Sequence, residues 1–304
     1  MSGPYSGKWA AVNGISTVRD WSINDAHDSK PYVASNTKFG KGRRRGIESW
    51  DGSYNHYGHT PVVLPGELFQ FIGYGAPTNN ISGAGLRYVG NAMCQQNVIT
   101  LNWGGGDIIS VQESFNGHLA LSEQGSSGAE ILDATVPTVP QIACTKIEYS
   151  ADGNDASFTE WGNLVQAVIT LSCELQEYVN SSTVVTDSGV CRIWKGFRPG
   201  PIDWTLAVTE QNMDRSIFKK GDSRIFRVYV TDSLYYEFKW GMVKDFTGIQ
   251  YNRETGAIVQ QTVNIEMDGF DPTETTYDPN SIGQVLLPGG DQWFPIGAAT
   301  GTGA

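Results

Sequence analysis

Charged residues and cysteines are scarce in this chain of 304 residues, and each scarcity excludes a class of protein. Only 17% of the residues are charged and the formal net charge is −11, which argues against a protein that grips nucleic acid by neutralising phosphates. The four cysteines lack Cys-x-x-Cys spacing, so free thiols in a reducing compartment are favoured over a disulfide framework. Cys173 and Cys191 could pair only if their strands are neighbours, and the sequence leaves that open.

Long apolar runs are missing as well. No stretch approaches the ~18 to 20 apolar residues that cross a bilayer as a helix. The amino-terminal segment lacks a basic region followed by an apolar run, so we expect no secretory signal. The sequence therefore predicts a protein that is made and folds in solution.

Motifs of catalysis and metal binding are also lacking. FGKGRRRG lacks both the Gly-Lys-Ser/Thr ending and the following helix of a phosphate-binding loop. His56 and His59 lie at a predicted strand end and turn, where they do not share a face, and Asp152 to Glu160 lacks the spacing of a calcium loop. We expect no enzyme, no cofactor and no bound metal.

Alternating strands and glycine-rich turns are abundant. The chain holds 36 glycines, and residues 259–267 alternate strictly, with Val263 and Ile265 on one face and Thr262 and Asn264 on the other. No segment predicts a helix of ordinary length. These patterns indicate an all-β protein.

A unit of about 75 residues occurs twice in the chain. Trp50 corresponds to Trp204 at an offset of 154, Gly66 to Gly221 at 155, and Gly117 to Gly269 at 152. Tyr32 corresponds to Tyr178 at an offset of 146, which places an insertion of eight residues before the second tryptophan. The predicted organisation is a first domain over 1–130, a linker with one short strand over 131–163, a second domain over 164–272, and a Gly/Pro-rich tail over 273–304.

Each copy also contains a long polar segment without a period, Asp25 to Gly46 in the first and Gln176 to Gly200 in the second. We interpret both as long exposed loops, and loops of this length in a compact domain usually have a partner. The first loop is strongly basic, and its cations are candidates for contact with carboxylates of a neighbouring ring: Lys38, Lys41, Arg43, Arg44 and Arg45.

The order of these motifs resembles the tail tube protein of long-tailed bacteriophages. The resemblance rests on the W-D-G-S strand at Trp50 and the D-W-T-L strand at Asp203, on a Gly-acid turn before an aromatic strand (Gly66 and Gly221), and on a closing hairpin in each copy. It covers about 250 residues of the chain. Most members carry one copy, form hexameric rings and contain a helix, and this chain departs from them in these respects.

The resemblance implies two tandem tail-tube-like domains, each a β-sandwich or open barrel, that contribute to a closed ring β-barrel. Because each chain supplies two such domains, we expect three chains to form a ring, and these trimeric rings would stack into a tube in the virion tail, after synthesis in the host cytoplasm. Partners would be further copies of the chain and the tape measure, baseplate and terminator proteins, and viral DNA would pass through the lumen without specific binding. The polar strand faces are the candidate lumen lining: Asp51, Ser53, Gln112, Ser114, Thr205, Gln260, Thr262, Asn264 and Glu266.

Two alternatives remain open at the level of sequence. The chain could serve as a baseplate hub, tail terminator or capsid decoration protein of a phage, which would differ in copy number per particle. It could also be a secreted carbohydrate-binding β-sandwich, since nine tryptophans and thirteen tyrosines offer stacking surfaces. Most of these aromatic residues occupy alternating strand positions, where core packing is the ordinary role.

Overall fold

The structure is a computed structural model that describes residues 5–12, 15, 17–33, 41–77, 85–103, 108–126, 146–151, 157–187, 190–211, 217–231, 233–249, 259–268, 285–288 and 292–293. These residues form strands almost throughout, and no α-helix occurs among them. None of them belongs to a helix that is long and apolar enough to span a membrane. The prediction of an all-β protein is confirmed.

The strands of the amino-terminal half are long, and several exceed fifteen residues. They are β1 (Tyr5–Val12), β2 (Val18–Tyr32), β3 (Gly42–Tyr57), β4 (Leu68–Pro77), β5 (Gly85–Asn102) and β6 (Ser110–Ser126).

The carboxy-terminal half contains both long and very short strands, and one 3-10 turn at Ser181–Thr183. The strands are β7 (Ile147–Ser150), β8 (Thr159–Trp161), β9 (Leu164–Tyr178), β10 (Val184–Asp187), β11 (Val190–Ile193), β12 (Gly196–Glu210), β13 (Ser223–Tyr229), β14 (Tyr235–Thr247), β15 (Gln261–Met267), β16 (Val285–Leu286) and β17 (Gln292–Trp293).

Fifteen of these strands belong to one antiparallel sheet, and β10 and β11 form a separate hairpin. The main path runs β2-β3-β6-β5-β9-β12-β15-β14-β13-β7-β8, with β4 beside β5 and β1 beside β4. The path is open: among the described strands, β2 ends it on one side and β8 on the other.

The two halves of the sheet share one strand order. The amino-terminal half has the order β2-β3-β6-β5-β4, and the carboxy-terminal half has β9-β12-β15-β14-β13. Pairing between β5 and β9 joins the halves into a single sheet. The register repeats as well, because Trp50 opposes Asp25 of β2 as Trp204 opposes Leu171 of β9.

A β-bulge and a turn are repeated with the register. The pairing of β5 with β6 shifts between Cys94 and Gln96, and that of β14 with β15 shifts at the matching place, between Val243 and Asp245. Before each aromatic strand, a glycine at positive φ donates its amide hydrogen to β5 or β14. Gly66 (φ 91°) donates to the Cys94 carbonyl at 2.8 Å, and Gly221 (φ 87°) donates to the Val243 carbonyl at 2.8 Å.

One face of the sheet packs into the core, and a large tryptophan anchors each half. Trp50 is 2% exposed and lies over Gly117, where a Cβ atom would come within 2.2 Å of its ring. Trp204 is fully buried and lies over Gly241 in the same manner. These glycines therefore leave room for the indoles.

In the repeat, the register shows that Gly117 of β6 corresponds to Met267 of β15, at an offset of 150. The predicted match of Gly117 with Gly269 is therefore wrong.

The prediction that Asp25 to Gly46 and Gln176 to Gly200 are long irregular loops is wrong for most of both segments. β2 continues to Tyr32 and β3 begins at Gly42, so the first segment is a paired hairpin arm. In the second, β9 continues to Tyr178 and the β10–β11 hairpin precedes β12. Both faces of such an arm meet solvent, so backbone pairing proceeds without the alternation of apolar residues that reveals a strand in a sequence.

The β10–β11 hairpin docks on the opposite half of the chain. Trp194, just after β11, is 2% exposed and packs in the cluster of Trp50, Tyr54, Phe71 and Phe115. The amide of Lys195 donates to the Glu48 carbonyl at 3.1 Å, and that of Leu119 donates to the Lys195 carbonyl at 3.0 Å. The insertion before the second tryptophan therefore connects the two halves.

The segment between the halves contributes two short strands to the carboxy-terminal half. β7 pairs with β13, and β8 pairs with β7. Near the carboxyl end, β16 pairs with Glu237 and Phe238 of β14, and Val285 is buried. The connections between β5 and β6 (residues 104–107) and between β14 and β15 (residues 250–258) lie outside the described residues.

Candidate functional site

A mostly polar surface covers the side of the sheet opposite the core. It spans eight strands in the order β2, β3, β6, β5, β9, β12, β15 and β14, and we call it the polar face. Residues that oppose each other on neighbouring strands point to the same side, so the register traces rows across the face. One row consists of Ser22, Ser53, Ser114, Gln96, Ser172 and Asp203.

The polar face brings together the residues that the sequence predicts as a lumen lining. Asp51, Ser53, Gln112 and Ser114 lie on its amino-terminal half, and their cross-strand partners are polar too. On the other half, Thr205 opposes Glu266, and Asn264 and Thr262 follow at alternate positions of β15. Gln260 is exposed and immediately precedes β15. Whether this face lines a channel depends on assembly and stays a prediction.

Hydrogen bonds between neighbouring side chains hold the polar face in order. Asn24 donates to the Asp51 carboxylate at 2.9 Å, and the Asn264 amide donates to Asp245 at 2.5 Å. The hydroxyls of Thr209 and Thr262 lie 3.0 Å apart. These bonds link strand to strand along the surface, so the face is a fixed arrangement of dipoles.

Acidic residues outnumber basic ones on this part of the sheet. Those on the polar face are Asp20, Asp51, Asp203, Asp245 and Glu266. Two basic residues, Arg19 and Lys244, occur in the central segments of the eight strands, and both lie at bulges. These central segments are residues 18–27, 48–57, 94–102, 110–117, 164–173, 202–210, 241–247 and 261–267.

Both basic residues are neutralised locally. Arg19 Nε lies 3.7 Å from Asp20 Oδ2, and Lys244 Nζ lies 2.8 Å from Glu266 Oε2. The hydrogen bond with Glu266 raises the pKa of Lys244, so the charged ammonium form is favoured. The polar face therefore carries net negative charge.

The predicted basic contact residues lie on the β2–β3 arm, apart from the polar face, except for Lys38, which is outside the described residues. Lys41, Arg43, Arg44 and Arg45 are exposed. The Arg44 guanidinium lies 5.4 Å from the centre of the Tyr32 ring, and Arg43 donates to the Ser29 hydroxyl at 3.3 Å.

Arg45 differs from its neighbours because it contacts a buried acid. Its Nε lies 2.6 Å from Oε1 of Glu48, whose side chain is 2% exposed. Arg192 of β11 approaches the same carboxylate at 3.9 Å. Arg45 thus contributes to the fold as well as to the charge of the arm.

A buried carboxylate that the sequence reading missed lies behind the polar face. Glu113 of β6 is 1% exposed and accepts hydrogen bonds from Tyr54 Oη at 2.6 Å and from the Val62 and Val63 amides at 2.7 and 3.1 Å. His56 Nε2 lies 3.0 Å from Glu113 Oε1, the oxygen that accepts from the Val62 amide. Burial raises the pKa of the Tyr54 hydroxyl, and the Glu113 charge adds to the effect. This network fastens residues 58–66 to the sheet.

The cysteines and histidines do not form a reactive or metal-binding site in the part of the chain that is described. Cys94 and Cys173 are buried free thiols, and Cys191 is an exposed free thiol, so Cys173 and Cys191 do not pair. Burial raises the pKa of both buried thiols, which disfavours the nucleophilic thiolate. No group of three or more metal-ligating side chains occurs among the described residues.

A shallow groove on the polar face bears on the carbohydrate alternative. It encloses about 530 Å³ and is lined by Gln95, Gln96, Ser172, Cys173, Glu174, Pro201, Ile202 and Asp203. None of these side chains is aromatic, so the groove offers no ring on which a sugar could stack.

No protein-family model matches the chain, and no curated protein matches it significantly. A function for the chain must therefore be inferred from the geometry of the sheet.

Proposed function

We propose that the chain is a structural virion protein that forms the tail tube of a long-tailed bacteriophage. In this proposal the two halves act as tandem tail-tube-like domains, and copies of the chain close into rings that stack around a channel. The observation that carries the proposal is the polar face, which spans eight strands and ends on one side at β2, a strand that pairs with β3 alone among the described strands.

The chemistry of the polar face suits the passage of DNA. Each phosphate that a wall neutralises adds affinity and slows transit, whereas an acidic wall lets the duplex pass. The central segments of the eight strands place Asp and Glu on this face and pair Arg19 and Lys244 locally. Its short hydroxyl and amide side chains also leave the channel wide.

The open edges of the sheet supply the reason to assemble. An unpaired strand edge exposes backbone donors and acceptors that pair with another chain, and closure into a ring removes such edges. Among the described strands, β2 pairs with β3 alone, so one of its two edges has no partner strand there. A ring would satisfy the other side of β2 with a neighbouring copy.

Negative-stain electron microscopy of the purified protein at high concentration tests this proposal. Tubes with a central channel are the expected result. Isolated rings that never stack would favour a hub or terminator, and monomers that bind to added capsids would favour a decoration protein. A protein that stays monomeric at every concentration, and does not join added tail components, would contradict the proposal.

A further inference from the structure

The short segment between β11 and the start of β12, residues 194–197, lies against the amino-terminal half of the chain, and we call it the clasp. Its backbone is bound there on both sides of one residue. The Lys195 amide donates to the Glu48 carbonyl of β3 at 3.1 Å, and the Lys195 carbonyl accepts from the Leu119 amide of β6 at 3.0 Å. The clasp therefore ties the beginning of β12 to two strands of the other half.

His118 of β6 completes the clasp with its side chain. The Phe197 amide donates to His118 Nδ1 at 3.1 Å. A ring nitrogen accepts a hydrogen bond only while it carries no proton, so His118 has to be neutral here, with its hydrogen on Nε2. Protonation of Nδ1 would set two N–H groups against each other. One proton therefore decides whether this contact exists.

Trp194 makes closure of the clasp a balance of opposing terms. Its ring is 2% exposed and packs with Trp50 and Phe115 in the core of the amino-terminal half, which favours closure. Its Nε1 is buried without a hydrogen-bond partner among the described residues, which opposes closure because the same group would be hydrated in the open state. Loss of one further hydrogen bond therefore shifts the clasp towards opening.

The surroundings of His118 do not favour its charged form. Among the described residues, no carboxylate forms an ion pair with it, and the residue opposite on β5 is the neutral Asn91. The ring of Tyr178 on β9 meets the imidazole edge-on, with 6.1 Å between the ring centres. The charged groups on the neighbouring elements have partners of their own: Lys195 with Glu177, Glu48 with Arg45, and Arg198 over the Tyr178 ring. Burial lowers the pKa of His118, so the neutral imidazole is favoured.

The two halves are also held together away from the clasp, by contacts that involve no histidine side chain. β5 and β9 pair from Gln96 to Asn102, and we call this paired stretch the joint. Beyond the Asn102 end, Tyr236 Oη of β14 donates to the His59 carbonyl, and Leu64 packs in the core of the carboxy-terminal half. Opening of the clasp therefore frees one end of the contact between the halves and leaves the joint paired.

We propose that the clasp is a pH-sensitive switch between the two halves, closed while His118 is neutral and open when His118 takes up a proton. Opening releases Trp194 from the cluster around Trp50 and lets the β10–β11 hairpin leave the amino-terminal half. The switch is a property of the single chain, and it goes beyond the proposed function because it does not require rings or tubes.

The direction of the pH effect follows from which state binds the proton. In the open clasp, His118 takes up a proton near its ordinary pKa of about 6.5, whereas the closed clasp excludes the proton. Closure is therefore complete above about pH 6.5 and is lost progressively as the pH falls below that value.

Hydrogen exchange of the clasp amides, followed by mass spectrometry on the dilute chain, measures opening. The amides of Leu119, Lys195 and Phe197 are hydrogen-bonded in the closed clasp and exchange through its open state. After correction for the intrinsic exchange rate, opening should increase about tenfold between pH 7.5 and pH 5.5, because the open state alone binds the proton. The β5 amides of the joint should show no such increase.

Substitutions of His118 separate its role as acceptor from its titration. In H118N, a side-chain carbonyl replaces Nδ1 as the acceptor and does not titrate in this range, so the clasp should stay closed at both pH values. H118F has no acceptor and should leave the clasp open at both. H27N changes an exposed histidine of β2 and is the matched control, which should keep the wild-type response.

An equal pH response of wild type and H118N, or wild-type protection of the clasp amides in H118F, would overturn the proposal. If H118N is itself open at pH 7.5, the wild type decides, and an increase that is absent or that extends to the joint rejects the switch. A chain with this response that never forms tubes rejects the tube alone. Tubes from a chain without the response reject the switch alone.

Discussion

Glu113 is a single buried residue that holds a surface segment, residues 58–66, against the sheet. Its two carboxylate oxygens accept from one tyrosine and two backbone amides, and they contact His56, so residues 58–66 are held against β6. The corresponding position of the other half by register is the apolar Val263. A buried carboxylate at this position therefore occurs in the amino-terminal half alone.

The substitution Glu113→Gln should destabilise the chain by about 1–3 kcal/mol, because an NH₂ group would face buried donors that lose their acceptor. Urea denaturation followed by tryptophan fluorescence measures the change. Gln112→Glu is the matched control, since Gln112 is the exposed neighbour on the polar face and its change should stay within about 0.5 kcal/mol. Equal stability of Glu113→Gln and wild type would refute this role.

The sequence could predict which residues face the polar side but not what Glu113 does. Alternation along β3 and β6 places Asp51, Ser53 and Ser114 on one face, and the structure agrees. Glu113 occupies an alternating position that belongs to the core, and its partners Val62 and Val63 lie fifty residues away in the chain. A single sequence has no local signal for such a contact.

Among the structural elements, the β2–β3 arm carries the densest positive charge. Arg43 and Arg44 are exposed, whereas Arg45 pairs with the buried Glu48. The arm can therefore be altered at the first two positions without disturbing the fold, and this separates assembly from stability.

The double variant R43E/R44E should fold normally and fail to form tubes, because like charges would replace the attraction between the arm and a carboxylate-bearing neighbour. Tube length by electron microscopy and melting temperature are the two readouts. K219E/K220E makes the same change in net charge at two other exposed lysines and should still form tubes. R45E should also lower stability, by about 1–3 kcal/mol, since Glu48 loses its nearest cation. Normal tubes from R43E/R44E would remove the arm from the assembly contacts.

Prediction of the elements succeeded where one strand face is buried and failed where both are solvated. The tryptophans of β3 and β12 and the glycines of the two matching turns revealed the repeat, and the structure gives both halves the same order and register. The arm and the β10–β11 hairpin carry no apolar alternation, so they resembled irregular loops. The docking of Trp194 on the other half depends on the tertiary fold and could not be foreseen.

For the whole molecule, the size of a ring follows from the strands that each chain supplies. The polar face contains eight strands, so three chains would supply 24. At ~4.8 Å between strands and a tilt of ~45°, the circumference is roughly 160 Å and the backbone diameter about 50 Å. Side chains of about 5 to 7 Å on each wall leave on the order of 35 to 40 Å, which admits a hydrated DNA duplex of ~20 Å.

The mass of a single ring tests the central claim most directly. Native mass spectrometry, or the rotational symmetry of a tube in cross-section, gives the number of chains. The account predicts three chains per ring, with the six halves nearly equivalent around the axis. Six full chains would supply 48 strands and a ring about twice as wide as the passage of DNA requires, and that result would contradict the account.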